Sequence, residues 1–590
     1  MRTVAATLAA LVLLGGTAVA EPTGTGPAPA SPGQAGPDHL GRARFDQPFT
    51  GFAPAGTVLR PGSPEQAGLA RAPIEDALAR ITRWTEPDAS GHPLFAGAVS
   101  LLAHNGTVVS TRATGYAVRY ADGEGTELPV EARVPMRADT IFDMASVSKL
   151  FTSIVVMRQV EAGRVALDAR VADYLPEFGV NGKADITVRQ LLTHTSGLEP
   201  FLPLWRDWPD PVARIKAVMD VAPANPPGSA YVYSDLNLIT LGVLVSRVTG
   251  STLDELVRTG ITAPLGMVDT GYNPPASKLD RIAATEYQAT PPRGMVRGQV
   301  HDENAWSLGG VAGHAGVFST AADMAVLGQT ILNGGSYRGH RVLRPETVRQ
   351  MLTNFNTGFP DDSHGLGFEL DQRWYMGALS SQVTAGHTGY TGTTLVIDPR
   401  SRSVSILLTN RVHPSRNWGS INPARRALAD GLATALAVRP RAGGQSWQAT
   451  AAATGQTGTL TTPALTARAG VLRVGFDAFV DTDAGDVLTV QTSQDNGATW
   501  QPVGLRVSGE GAPGGVVTAL TGHGHRAWWR VSAELPGNGL LRWQFTKGGS
   551  YAGRGVFVDD IQVRDGRGPV LDGERHPGAL TASSWTPVSR

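Results

Sequence analysis

The stretch Phe142-Asp-Met-Ala-Ser-Val-Ser-Lys149 places Ser146 three residues before Lys149, where an apolar helical pattern begins. Leu150, Ile154, Val155 and Val160 recur at helical spacing until Gly163 supplies a stop, so the pattern predicts an amphipathic helix with Ser146 at its N-terminal end. Positions i and i+3 share a helix face, which lets the Ser146 hydroxyl meet the Lys149 ammonium. Lysine is otherwise found only at 183, 216, 278 and 547; arginine supplies the remaining positive charge. An arginine keeps its proton in a protein, whereas a partly buried lysine can have its pKa lowered toward neutrality and take a proton from a serine. The positive end of the helix dipole adds a place for a developing oxyanion.

Ser-x-x-Lys alone is a weak signal, and its surroundings decide. Phe142-x-Met-Ala-Ser-Val-Ser-Lys-Leu-Phe-Thr152 resembles the active-site serine segment of the serine β-lactamase and penicillin-binding protein family, in particular the class C β-lactamase-related serine hydrolases. Ile186-Thr-Val-Arg-Gln-Leu-Leu-Thr-His-Thr-Ser-Gly-Leu198 is similar to the helix-and-turn block that follows it in that family. Tyr231-Val-Tyr-Ser-Asp-Leu-Asn-Leu238 resembles the Tyr-x-Asn element, with Tyr233 in the tyrosine's place. Gly386-His-Thr-Gly-Tyr-Thr-Gly392 resembles the Lys-Thr-Gly strand in its His-Thr-Gly form, and the motifs occur in the family's order.

The resemblance implies an α+β domain, an antiparallel sheet flanked by helices with an added helical region, and an acyl-enzyme on Ser146. It implies that Lys149 and Tyr233 share the proton, with tyrosinate character at Tyr233 favoured by the lysine's charge. It also implies an oxyanion hole made by the backbone N–H groups of Ser146 and Tyr390, with Asp235, His387, Thr388 and Gly389 facing substrate. No metal and no organic cofactor is required. Two residues depart from the pattern. Asp235 stands where the family usually has Asn, replacing an amide donor by an acceptor. His387 replaces a lysine, so the strand offers a mostly neutral imidazole where a substrate carboxylate wants a permanent cation. Ester, amide or D-amino-acid peptide substrates are therefore expected ahead of β-lactams.

A fourth segment, Val300-His-Asp-Glu-Asn-Ala-Trp-Ser-Leu-Gly-Gly-Val-Ala-Gly-His-Ala-Gly-Val-Phe-Ser319, resembles a block in one branch of these hydrolases. His301 and Asn304 are candidate substrate contacts; the alternative is a Gly-rich turn pinned by side-chain hydrogen bonds. A metal site built from this segment and His387 is disfavoured, because no ligand pair has helical i, i+4 spacing. His194 reads as a satisfied structural histidine, and Ser196 lacks the Gly-x-Ser-x-Gly setting of a nucleophile elbow.

Working outward, Phe95–Ala103 and Thr107–Gly115 flank Asn105-Gly106 and read as a hairpin. Helical patterns follow at Val188–Leu192, Asn237–Val248 and Ala321–Leu332, then strands at Thr393–Ile397 and Val404–Leu408 around the turn Asp398-Pro-Arg-Ser401. Early and late strands around a helical middle predict a sheet that joins both ends of the segment. Residues 1–20 read as a signal peptide ending Ala18-Val19-Ala20, 21–45 as a disordered Pro/Gly/Ala-rich linker, 46–438 as the hydrolase domain, 439–458 as a second linker and 459–590 as an all-β sandwich. The expected location is extracytoplasmic, with no membrane span once the signal is removed.

In the last segment, Arg554-Gly-Val-Phe-Val-Asp-Asp-Ile-Gln562 resembles the end of jelly-roll domains appended to secreted hydrolases. Asp481-x-Asp-x-x-Asp486 and Asp559-Asp560 offer oxygens for a structural Ca²⁺, with solvated turns as the other reading. Trp500, Trp528, Trp529 and Trp543 are core residues on the simpler reading and a sugar platform on the other. The 590 residues carry 51 basic and 51 acidic side chains and no cysteine, so nothing asks for nucleic acid, and thiol chemistry is excluded. The expected function is hydrolysis of a small ester or peptide-like amide. D-Ala-D-Ala carboxypeptidase or β-lactamase action on cell-wall-like substrates is the alternative enzyme reading, and a catalytically inactive wall- or glycan-binding protein the alternative from another class.

Overall fold

The computed structural model describes residues 43–549, 551 and 553–589. The expected signal peptide and the linker up to residue 42 lie outside the described residues. Asn105 and Gly106 take φ values of 46° and 81°, the left-handed conformation a tight turn demands, and pair β1 (Gly97–His104) with β2 (Thr107–Val118) as an antiparallel hairpin. Far along the chain, β3 (Glu369–Leu370), β4 (Ala385–Thr388), β5 (Thr393–Asp398) and β6 (Ser403–Thr409) pair antiparallel in sequence, and β6 closes on β1. The sheet order is therefore β2-β1-β6-β5-β4-β3, with Arg60–Pro61 added parallel to β2. The sheet does join both ends of the segment read as residues 46–438.

Alternation fixes the register. Leu395, Ile397, Ile406 and Leu408 enter a core shared with the helical region, whereas Val396 and Leu407 enter a second core under α1 (Arg71–Arg83) and the C-terminal helix of the segment, Asn422–Ala435. A one-residue slip would exchange the two faces and break the side-chain fit in both cores at once. The helix after Ser146, α2 (Ser148–Glu161), differs from expectation: every residue from Ser148 to Met157 is buried. It is a core helix rather than an amphipathic one, packed against α3 (Asp235–Thr249), so its polar Ser148, Lys149 and Thr152 all need partners inside the protein. Among the described residues no single helix is long and apolar enough to cross a membrane.

The C-terminal part consists of two antiparallel sheets packed over Phe476, Val490, Trp529 and Trp543. Its five longest strands are Arg473–Asp481, Val487–Ser493, Trp528–Glu534, Leu540–Thr546 and Gly555–Asp565. The expected linkers are corrected. Ser446–Ala449 is a strand held between Gly555–Asp565 and Trp585–Val588, so the sheet begins inside the segment read as a linker. Upstream, Arg44 bridges to Ala437 and Phe45 is buried. Composition hid both, because pairing to distant strands orders these Gly- and Ala-rich stretches.

Nor is the sandwich loosely tethered. Phe479 and Phe557 turn away from its core to pack with Phe45 and Tyr375 of the hydrolase part. Arg526 and Asp398 form a fully buried ion pair of 2.7 Å, and His523 pairs with Asp371 at 2.8 Å. The acids proposed for Ca²⁺ are held by protein donors: Lys547 sits 2.9 Å from Asp486, Asp481 accepts the Gly524 and Arg554 amides, and Asp559 accepts those of Arg441 and Ala442. Trp529 and Trp543 are core, and Trp528 is spent at the seam, its indole N–H on Asp46.

Candidate active site

Ser146 lies in a 3₁₀ turn, Ala145–Val147, that runs into α2. The residue before it, Ala145, has φ 46°, a conformation non-glycine residues rarely adopt. Buried Asp143 holds the turn: one carboxylate oxygen accepts the Ala145 amide at 2.8 Å, the other accepts the His301 amide at 2.6 Å. Thr391 and Thr393 donate their hydroxyls to the Asp143 and Met144 carbonyls, binding the turn to the sheet. Gly389 permits this approach, since a Cβ there would fall 2.1 Å from the Thr393 hydroxyl and 2.5 Å from the Met144 carbonyl.

Lys149, 1% exposed, donates to the Ser146 hydroxyl at 2.9 Å and to the His314 carbonyl at 3.1 Å, and pairs with the Asp235 carboxylate at 2.7 Å. Its ammonium also lies 4.9 Å from the centre of the Tyr233 ring. Gly313 makes the His314 contact possible, because any Cβ there would strike the Leu238 carbonyl on α3 at 1.8 Å. The expected lowering of the lysine pKa is overturned. Burial alone would favour loss of its proton, but the Asp235 carboxylate and the Tyr233 oxygen outweigh it and hold Lys149 above the ordinary lysine value. Tyr233 is in turn pushed up to about 12, mainly by burial, with Lys149 pulling against it and Asp235 adding to the rise. The tyrosinate expected from the lysine's charge is therefore not favoured, because burial outweighs that charge and Asp235 offsets part of it.

The other sequence candidates separate into two groups. Ser146, Tyr233, Thr388, Gly389 and Tyr390 line one cavity of about 590 Å³. Asp235, His387, His301 and Asn304 do not. Asp235 opens α3 with its carboxylate on Lys149 rather than toward a ligand. His387 is 1% exposed, donates Nδ1–H to the Thr388 carbonyl, and is held neutral, at about 3, by burial and the Lys149 charge. His301 is buried against Glu286 at 2.8 Å. Asn304 is buried and pins a loop, donating to the Leu202 carbonyl at 2.7 Å and accepting the Trp205 amide at 3.3 Å. Asn304 thus pins a loop through backbone groups, whereas the His301 side chain bonds the Glu286 carboxylate and its ring stacks at 5.9 Å from that of Tyr390. His194 is structural as expected: its Nδ1 accepts the Ser234 amide and the Asn237 side chain while the ring stacks on Tyr233 at 4.6 Å.

Asp235, Asp302 and His314 bring one ligand-type atom each within 4.8 Å of one another. Protein groups already balance these carboxylates: Lys149 sits on Asp235, while Asp302 takes His314 Nε2 and the Ala305 amide at 2.8 and 2.7 Å. The donor set therefore does not call for a metal.

Sequence reasoning missed four charged residues that also line the cavity, Glu369, Arg411, Arg416 and Arg425. Arg425 lies in the first turn of α4 (Asn422–Ala435), where a cation opposes the helix dipole. That anomaly was legible. Its guanidinium donates to the Gly389 carbonyl and the Thr394 hydroxyl, fixing the His-Thr-Gly strand. Arg411 donates only to carbonyls, those of Tyr390, Arg416 and Gly419. Glu369 is buried, which raises its carboxyl to about 7 against the pull of Tyr375, Arg425 and Lys149. Nothing in its sequence setting, Gly365-Leu-Gly-Phe-Glu369, announces this.

Residues 88–430 match the model of the family described as Beta-lactamase. A protein of Escherichia coli (strain K12) named "Putative D-alanyl-D-alanine carboxypeptidase" is 34% identical over 398 residues, covering 60% of this chain and 86% of that protein. A protein of the same name from Salmonella schwarzengrund is 32% identical over 409 residues, covering 64% and 91%. A solved penicillin-binding protein homolog from Caulobacter crescentus aligns at 23% identity and a TM-score of 0.47, over 62% of this chain and 98% of its own. The matched span contains Ser146, Lys149, Tyr233 and the His387 strand, and the chain belongs to the Beta-lactamase family of serine hydrolases.

Proposed function

We propose that this hydrolase works through an acyl-enzyme on Ser146 and removes the terminal residue from peptides ending in D-Ala-D-Ala. The observation that carries the acyl-enzyme is the 2.9 Å contact from Lys149 to the Ser146 hydroxyl, in a cavity wall shared with Tyr233 and with the Thr388–Tyr390 strand end. Before attack, the Lys149–Tyr233 pair gives up a proton; Ser146 then passes its own to that pair as Oγ adds to the carbonyl. The Ser146 and Tyr390 amides receive the oxyanion, the pair returns the proton to the leaving nitrogen, and a water entering by the same relay frees the acyl group. Asp235 governs how readily the pair deprotonates, because its carboxylate stabilises the ammonium.

The choice of a carboxylate-terminated substrate rests on the arginines. Neutral, buried His387 supplies no cation, but Arg411 and Arg425 line the cavity, neither has a carboxylate in ion-pair contact among the described residues, and each offers the permanent charge a C-terminal carboxylate wants. The relatives' name points the same way. The Met1–Ala20 pattern supports export, so we place the reaction outside the cytoplasm.

The test has two arms. Intact-mass spectrometry after a fluorophosphonate is expected to show one adduct, lost in Ser146→Ala. D-alanine release from an N-acylated tripeptide ending in D-Ala-D-Ala is expected from the native protein only. No adduct would overturn the serine mechanism; an adduct without D-alanine release would overturn the substrate.

A further inference from the structure

The cavity does not end at its arginine wall. Arg416 and Asn417 also form the side of a second groove, of about 470 Å³, whose floor and far side include Phe201, Trp205, Tyr287 and Glu303. Five aromatic side chains stay exposed among the described residues: Phe49, Phe201, Tyr287, Trp306 and Tyr390. Phe201 (46% exposed) and Tyr287 (38%) line this groove, and Tyr390 (51%) lines the catalytic cavity beside it. Phe201 and Tyr287 thus give an otherwise polar groove two ring faces open to water, which the apolar carbons of a ligand can cover.

The groove is also built in advance. Asn304 clamps the Phe201–Trp205 loop from both sides through Leu202 and Trp205. The Tyr287 amide is fixed on the Pro414 carbonyl at 2.8 Å. Arg416 is locked between Glu286 and Glu303, so the charges of this wall are answered within the protein and the groove offers no unpaired cation for an anionic ligand.

We propose that the Phe201–Trp205–Tyr287 groove binds the acyl side of the substrate, taking peptide residues upstream of the bond that Ser146 attacks. This rests on the carboxypeptidase reading above. There, the leaving group is a single amino acid whose carboxylate ends the chain, so only the acyl part is long enough to leave the first cavity past Arg416. Apolar side-chain carbons would lie on the rings, and peptide amides would face Glu303 and Asn417 at the rim. Asn304 is then a positioning residue for this subsite, which gives a physical role to a residue the sequence singled out.

Calorimetric titration of Ser146→Ala with an N-acylated tripeptide ending in D-Ala-D-Ala reads the subsite without turnover. Adding Phe201→Ala and Tyr287→Ala is expected to weaken Kd about tenfold, while Phe201→Tyr with Tyr287→Phe keeps it within about twofold. In the active protein, the same alanine pair is expected to lower the kcat/KM ratio of an N-acyl-tripeptide p-nitrophenyl ester to p-nitrophenyl acetate about tenfold, mostly through KM. Absence of peptide binding, or a Kd that ignores the alanine pair, overturns the groove. Peptide binding that depends on the rings, without D-alanine release, leaves the groove standing and overturns the carboxypeptidase reading alone.

Discussion

Replacing Asp235 by Asn removes one charge from the centre of the site and leaves its shape. The carboxylate lies 2.7 Å from Lys149, which is buried and touches Ser146, so the change falls on the proton that catalysis must move. Taking the charge centres as about 4 Å apart at an effective dielectric of 20, the attraction is about 4 kcal/mol, equivalent to about three pH units. The amide oxygen still accepts a hydrogen bond from the ammonium, so part of this is kept and a fall of one to three units is expected, about 1.4 kcal/mol for each. The sign follows from the charges: losing a carboxylate favours the deprotonated lysine, and it also removes a negative charge that raises the Tyr233 pKa. Activity that rises with pH as the pair deprotonates should begin to rise at lower pH. The assay is kcat/KM on p-nitrophenyl acetate from about pH 6 to pH 11, with fluorophosphonate labelling rates as a second readout that excludes deacylation. If the rising limb of Asp235→Asn coincides with that of the native protein, Asp235 does not set the pair's protonation and the relay is wrongly assigned.

Three other outcomes are expected. Lys149→Arg should fold and lose about 10²–10⁴-fold in kcat, because a planar guanidinium cannot serve the three directions in which the ammonium meets Ser146, Asp235 and His314; activity within about tenfold of native would show that charge alone suffices. Glu369→Gln should alter the pH dependence of stability. The native carboxyl, raised from 4.5 to about 7, contributes stability that is full below pH 4.5 and lost as pH climbs through 7, up to about 3 kcal/mol; denaturant melts of the Gln variant should lack this loss, and parallel curves would refute it. Arg526→Met, or a chain ended at Val438, strands Asp398 at the seam and should cost about 3–5 kcal/mol by chemical denaturation, whereas a loss below about 1 kcal/mol would show that the sandwich only rests on its neighbour.

What the sequence could and could not show divides along physical lines. Elements set by local chemistry were readable: the Asn105-Gly106 turn, the helix at Ala321–Leu332 and the β5–β6 hairpin appear where periodicity and turn residues put them. Residues whose meaning depends on a distant partner were not. Asp235 and Asn304 sit in recognisable motifs, yet each has turned inward, one to an ammonium 86 positions away on another helix and the other to a loop about 100 positions away. A polar side chain near a nucleophile is as easily part of the support as part of the binding face, and only burial distinguishes them. Glu369 shows the converse, since its raised pKa comes from being enclosed and leaves no trace in its neighbours along the chain.

The same distinction bears on how this chain departs from its family. Read in sequence, Asp235 and His387 were two losses on the substrate side, an amide donor and a cation. In three dimensions neither group faces the cavity: Asp235 holds Lys149, and buried, neutral His387 lies 6.1 Å from the Tyr233 ring. On the carboxypeptidase reading proposed above, the cationic role would fall instead to arginines from the 411–425 segment, which brace the strand end at Gly389 and Tyr390. On that reading the departures act on the proton relay, while recognition shifts to another part of the chain. A variant that restores Asn at 235 should therefore change the pH profile without changing the substrate ranking, and an Arg411 variant the reverse.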